Sequence, residues 1–155
     1  MKYRFLDMYS LAIGLLVTLT IAGCGDADVP AGPVLVPVTG QVSLGDQPWA
    51  DADLTFFPIE STTGIGGKTR TNEAGQFNEV LYMRGGIGLP AGTYRVSVSK
   101  RVMPNGSPVP PDEETPAIES PAKELLPAVY SYPEQAKLQV QVQEGKPIEL
   151  KLQKS

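Results

Sequence analysis

LPAGTYRVSVSK, residues 89–100, sets the fold class. Tyr94, Val96 and Val98 point one way, and Arg95, Ser97 and Ser99 point the other. That period of two is the pattern of a half-buried β-strand. Pro90-Ala91-Gly92 is the turn that launches it. Tyr94, the first inward residue after the turn, is expected to bury its ring and to find a backbone acceptor for its hydroxyl near the strand end. The tyrosine corner of β-sandwiches is a similar device.

The same period recurs along the chain. Val38, Gly40, Val42 and Leu44 alternate with Thr39, Gln41 and Ser43, and the Gly45-Asp46-Gln47-Pro48 turn follows. Ala52, Leu54 and Phe56 form the next inward set, which Pro58 ends. Gly67 to Thr71 reads as a short polar edge strand. Asn72-Glu73-Ala74-Gly75 reads as a hairpin turn, and Gln76 to Tyr82 as the return strand anchored by Phe77. Leu138, Val140 and Val142 alternate with Gln, and Ile148, Leu150 and Leu152 alternate with Glu149, Lys151 and Gln153. Glu144-Gly145-Lys146-Pro147 is expected to join these two strands as a hairpin. About seven short strands, each with one apolar face, must bury those faces against one another. The expected fold is an all-β, antiparallel β-sandwich over residues 38–155, preceded by an N-terminal signal helix.

Residues 104–133 interrupt the pattern with recurrent Pro. The front of this insertion, PNGSPVPPDEETP, is too polar and Pro-rich to be expected to pack. Ser120-Pro121 reads as a helix cap and first helical residue for one turn ending at Pro127, with Tyr130 and Tyr132 in an extended segment beyond it.

Composition excludes several chemistries. The chain of 155 residues contains no His and one Cys. Ser-His-Asp and Cys-His catalysis are therefore impossible, as are an intramolecular disulfide and a thiolate zinc site. With 13 basic against 17 acidic residues and no basic patch, a nucleic-acid partner lacks its electrostatic footprint. No enzyme activity and no cofactor are expected.

The single Cys sits in LTIAGCGD, residues 19–26. Lys2 and Arg4 precede a mostly apolar run from Met8 to Ile21, shorter than the roughly 20 residues that cross a bilayer. This is the layout of a secretory signal, with an uncleaved anchor as the alternative. Ile21-Ala22-Gly23-Cys24 resembles a bacterial lipobox. The resemblance implies cleavage between Gly23 and Cys24, a diacylglycerol on the Cys24 sulfur and acylation of the new amino terminus. It makes residues 1–23 a signal peptide and residues 24–37, rich in Gly, Pro, Ala and Asp, a flexible tether. Stable anchoring takes two or more acyl chains, which a lipidated Cys24 would supply. The implied location is the cell envelope, on the periplasmic or outer-membrane side. Gly25, where an inner-membrane retention signal of enteric bacteria has Asp, leans towards the outer membrane.

VTGQVSLGDQPWADADLTFFP is similar to the opening of carboxypeptidase-regulatory-like domains through Val38, Gly40, Val42, Pro48, Ala52, Leu54 and Phe56. TNEAGQF (71–77) resembles the hairpin of that group, and LPAGTYRVSV (89–98) its Tyr-bearing strand. LLPAVYSYPEQAKLQVQV resembles small bacterial lipoproteins with a Tyr-containing loop before the last two strands. The resemblance implies a transthyretin-like (prealbumin-like) sandwich serving as a structural or protein-interaction module. Hydroxyisourate hydrolases share that fold, but their chemistry needs His, which this chain lacks.

Ligand-binding candidates are Trp49, the lone Trp, with Tyr130 and Tyr132, whose rings could stack on a sugar or a partner if exposed. The partner classes are thus the membrane, through lipid on Cys24, and another envelope protein or a glycan. Asp46, Asp51 and Asp53 cluster near one turn without the spacing of a calcium loop, and no metal site is assigned to them.

Overall fold

The computed structural model describes residues 32–110 and 119–153. Gly23, Cys24, the signal segment and the acidic run Asp112-Glu113-Glu114 lie outside the described residues.

The strands are β1 (Gly40–Leu44), β2 (Gln47–Pro48), β3 (Asp53–Pro58), β4 (Gly67–Arg70), β5 (Gln76–Phe77), β6 (Leu81–Tyr82), β7 (Gly92–Ser99), β8 (Arg101–Val102), β9 (Lys123–Glu124), β10 (Leu138–Val142) and β11 (Ile148–Leu152), with one helical turn, α1 (Ala128–Ser131). The first sheet runs β11-β1-β2, with β5 also pairing β1, and the second runs β10-β7-β3-β4-β6. A small sheet pairs β8 with β9. The apolar faces meet as the sequence pattern requires. Val42, Ile148, Leu150, Leu152 and Phe77 on one side and Leu54, Phe56, Tyr94, Val96, Val98 and Val142 on the other form one buried cluster. The all-β sandwich is therefore present.

Two expected hairpins turn out to be passages between sheets. β10 pairs β7, whereas β11 pairs β1, so Glu144–Pro147 carries the chain from one sheet to the other. The β1–β11 pair is moreover parallel, in register Gly40↔Ile148, Val42↔Leu150 and Leu44↔Leu152. Likewise, Asn72–Gly75 is a tight turn, with Gly75 N–H donating to Asn72 O (2.9 Å) and Gly75 at φ 70°, but β4 and β5 on either side of it belong to different sheets. Alternating strands with tight turns between them look the same in sequence whether their partners are each other or third strands, because burial of the apolar face is satisfied either way. The return strand is also broken, into β5 and β6. The Gly45-Asp46 turn does close a two-residue hairpin between β1 and β2, with Gly45 at φ 61°.

The tether and the insertion differ from expectation as well. The tether packs before its expected end at Pro37: Val36 exchanges backbone hydrogen bonds with Leu89 (2.8 and 3.1 Å), and Leu35 packs on the core. In the insertion, Val109 is buried and its carbonyl accepts from Arg70 Nη1 (3.1 Å). The helical turn expected after Ser120 is β9 and a bend instead, while the helix forms at Ala128–Ser131, where an extended segment is expected. One carboxylate explains the extended path through β9. Glu124 Oε1 accepts from the N–H groups of Lys100 (3.0 Å) and Leu126 (2.8 Å), and Oε2 accepts from Ser99 Oγ. Those bonds hold 123–126 alongside the end of β7, out of reach of helical pairing. α1 packs against β7, and Ser97, expected on the solvent face of that strand, is buried.

Candidate functional site

Trp49 follows β2, where the chain turns toward β3. Its position is fixed from below by Thr71, whose hydroxyl donates to Trp49 O (2.7 Å) and accepts from Ala52 N–H (2.9 Å). Thr71 is itself buried. The Trp49 ring is half-buried against the core, and Lys100 Nζ lies 4.7 Å from its centroid, a cation–π contact that occupies one face. Tyr130, on α1, also packs on the core, and its hydroxyl accepts from Gln153 N–H (3.1 Å). Tyr132 is exposed. Among the described residues no ring-to-ring contact joins Trp49 to either tyrosine. The three candidates therefore do not form a shared aromatic platform.

Asp53 is committed to structure. Directly opposite Arg70 across β3 and β4, it accepts from Arg70 Nε (2.8 Å) and Nη2 (3.1 Å), a bidentate pair. No group of three or more metal-ligating side chains assembles among the described residues, Asp46 and Asp51 included.

The described residues include two open grooves. One, of about 320 Å³, lies against β1 and β11 and is lined by Gln41, Ser43, Asp46, Glu149 and Lys151. The other, of about 470 Å³, lies against β3 and β4 and is lined by Lys68, Arg70, Arg101, Val109 and Pro110. Tyr94 carries a perturbed phenol, pushed up to about 12 by burial first and by the neighbouring Tyr82 second. It is fully buried and donates to Pro90 O (2.9 Å), so it acts as a structural donor.

A feature that the sequence reading passes over is the edge of the second sheet. β6 is its last strand, and the chain turns back through Met83-Arg84-Gly85-Gly86 to bridge Ile87 to Leu81. Leu81, Met83 and Ile87 are about half exposed, at 52%, 48% and 55%, and Ile65 beside them is 39% exposed. An apolar residue on each side of a Gly pair is the signal that could have marked this edge.

No family model, curated protein or solved structure matches the chain.

Proposed function

We propose that this chain is a non-catalytic lipoprotein, held at the cell envelope through acyl chains on Cys24, whose β-sandwich serves as a structural or protein-interaction module of carboxypeptidase-regulatory-like, transthyretin-like type. The observation that carries the reading is Ile21-Ala22-Gly23-Cys24, with the chain's one cysteine, placed at the end of an apolar run of signal-peptide length. The family assignment draws its support from Asn72–Gly75 ahead of buried Phe77, and from Tyr94 bonded back to the Pro90 turn. A glycan-binding module would need an exposed stacking surface. The Trp49 face under Lys100 and the Tyr130 hydroxyl bound to Gln153 favour the structural reading over that one.

The test is the intact mass of the protein purified from membranes. The expected product begins at Cys24 and carries acyl chains. A full-length chain with an unmodified Cys24 would overturn the proposal.

A further inference from the structure

We infer that the edge formed by β6 and the turn after it is a bilayer-docking face, seating the sandwich on the membrane that holds its anchor. The inference rests on the proposed lipidation of Cys24 for what brings the membrane near.

The chain leaves the sandwich beside this turn. Leu35 packs on the core, and its side chain lies beside Gly86 and Gly88, at the base of the turn. Val34, just before it, is 84% exposed. Ten residue steps separate Cys24 from Val34, at most about 35 Å of fully extended chain. The edge beside the exit point is thus within reach of a bilayer that holds Cys24.

Leu81 and Ile87 are bridged, so their side chains share a face. Met83 N–H donates to Gly66 O (3.1 Å), which brings Ile65 next to the same turn. The cations at this edge are Lys68, opposite Leu81 in the ladder, and Arg84 at the tip; Glu79 is the nearest carboxylate along the chain. Apolar side chains flanked by cations suit the boundary between acyl chains and anionic headgroups.

Backbone pairing also favours the approach, because any N–H or C=O carried towards the hydrocarbon region must be satisfied within the protein. Here Tyr82 N–H donates to Gly86 O (3.1 Å), Gly85 N–H to Tyr82 O (2.8 Å) and Gly88 N–H to Val80 O (2.7 Å). With the Met83 bond, four N–H groups of this turn are satisfied within the protein.

The experiment uses the full chain in phosphatidylethanolamine–phosphatidylglycerol vesicles. Met83→Cys supplies a labelling thiol at the turn, and Glu149→Cys, on exposed β11, supplies the comparison. Where the mass of the protein shows Cys24 unacylated, Cys24→Ser is added so that the label remains unique. Each fluorescent label is quenched by brominated acyl chains and, separately, by aqueous iodide. The expected result is several-fold stronger acyl-chain quenching at 83 than at 149, reduced towards the 149 level by Leu81→Asn with Ile87→Asn. Equal, iodide-dominated quenching at both positions overturns the docking face, and an acylated Cys24 in that same sample leaves the lipoprotein reading intact. Shielding of position 83 from both quenchers that grows with protein density also overturns it, and identifies a second copy as the occupant.

Discussion

Tyr94 is the residue on which the sandwich should depend most. Its ring is fully buried and meets Phe56 edge-on, with centroids 6.3 Å apart and planes at 77°. Its hydroxyl donates to Pro90 O at 2.9 Å. Truncating a buried aromatic to Ala costs about 3–5 kcal/mol, and Pro90 O loses a bond worth about 1 kcal/mol net. Against a typical total of about 5–15 kcal/mol, Tyr94→Ala leaves a marginal domain. Arg95, next in the strand, is half-buried, so Arg95→Ala removes some stem packing and should cost no more than about 1 kcal/mol. Urea unfolding followed through Trp49 fluorescence in detergent-solubilised chain compares the two. A larger loss for Arg95→Ala would mean that the faces of β7 are assigned the wrong way round.

Tyr94→Phe isolates the hydroxyl and carries a pH signature. At neutral pH the variant should be less stable by about 1 kcal/mol. The phenol titrates near 10.0 when unfolded and near 12 when folded, because burial and then Tyr82 oppose its ionisation. The stability from keeping it neutral is full below pH 10 and is lost as pH rises through the folded value of about 12. A shift of that size is worth about 2–3 kcal/mol. The wild-type chain should therefore lose its advantage between pH 10 and 12, and Tyr94→Phe should become the more stable of the two. Parallel pH profiles for the two proteins would show that the phenol is not held as described.

Thr71→Val removes the hydroxyl shared by Trp49 O and Ala52 N–H and should cost about 1–3 kcal/mol by urea titration, with Thr71→Ser largely restored. Gly40→Ala should cost about 1–3 kcal/mol in the same assay, because a Cβ there would strike Ile148 O and the Phe77 ring. Deleting residues 105–115 should lower stability by about 2–3 kcal/mol in thermal or urea unfolding, since it removes buried Val109 and the carbonyl that binds Arg70; a neutral deletion would show that neither contact matters.

The sequence made the faces of the strands legible and left their partners hidden. Leu54, Phe56, Tyr94, Val96 and Val98 all point into the core as their alternation indicates, because period two and burial are the same fact seen twice. Pairing is a different matter. β10 ends the second sheet and β1 borders the first, so β11 could extend either, and the residues of Glu144–Pro147 do not encode which. The insertion misled for a related reason. Ser120-Pro121 is a sound helix start locally, but Glu124 gains three hydrogen-bond donors by staying extended, two of them from Ser99 and Lys100 at the far end of β7. A long-range carboxylate staple outweighs a weak local propensity, and single-residue preferences cannot anticipate it.

The candidate sites fared differently because exposure, unlike alternation, has no local signature. Trp49 and Tyr130 are amphipathic rings, equally suited in sequence to a binding surface or to the margin of a core. Lys100 above one and Gln153 against the other come from distant parts of the chain. Leu81 and Ile87 illustrate the converse. Leu81 falls within the expected return strand, 76–82, yet it and Ile87 are about half exposed at the end of the second sheet. Their exposure follows from facing: Tyr82 turns into the core, so Leu81 beside it, and Ile87 bridged to Leu81, face outward. The same topology puts them beside Leu35, where the chain enters the sandwich. An apolar edge that is a liability on a free-diffusing domain would become a contact surface on one tethered to a bilayer, and the proposed anchor would give this edge that use.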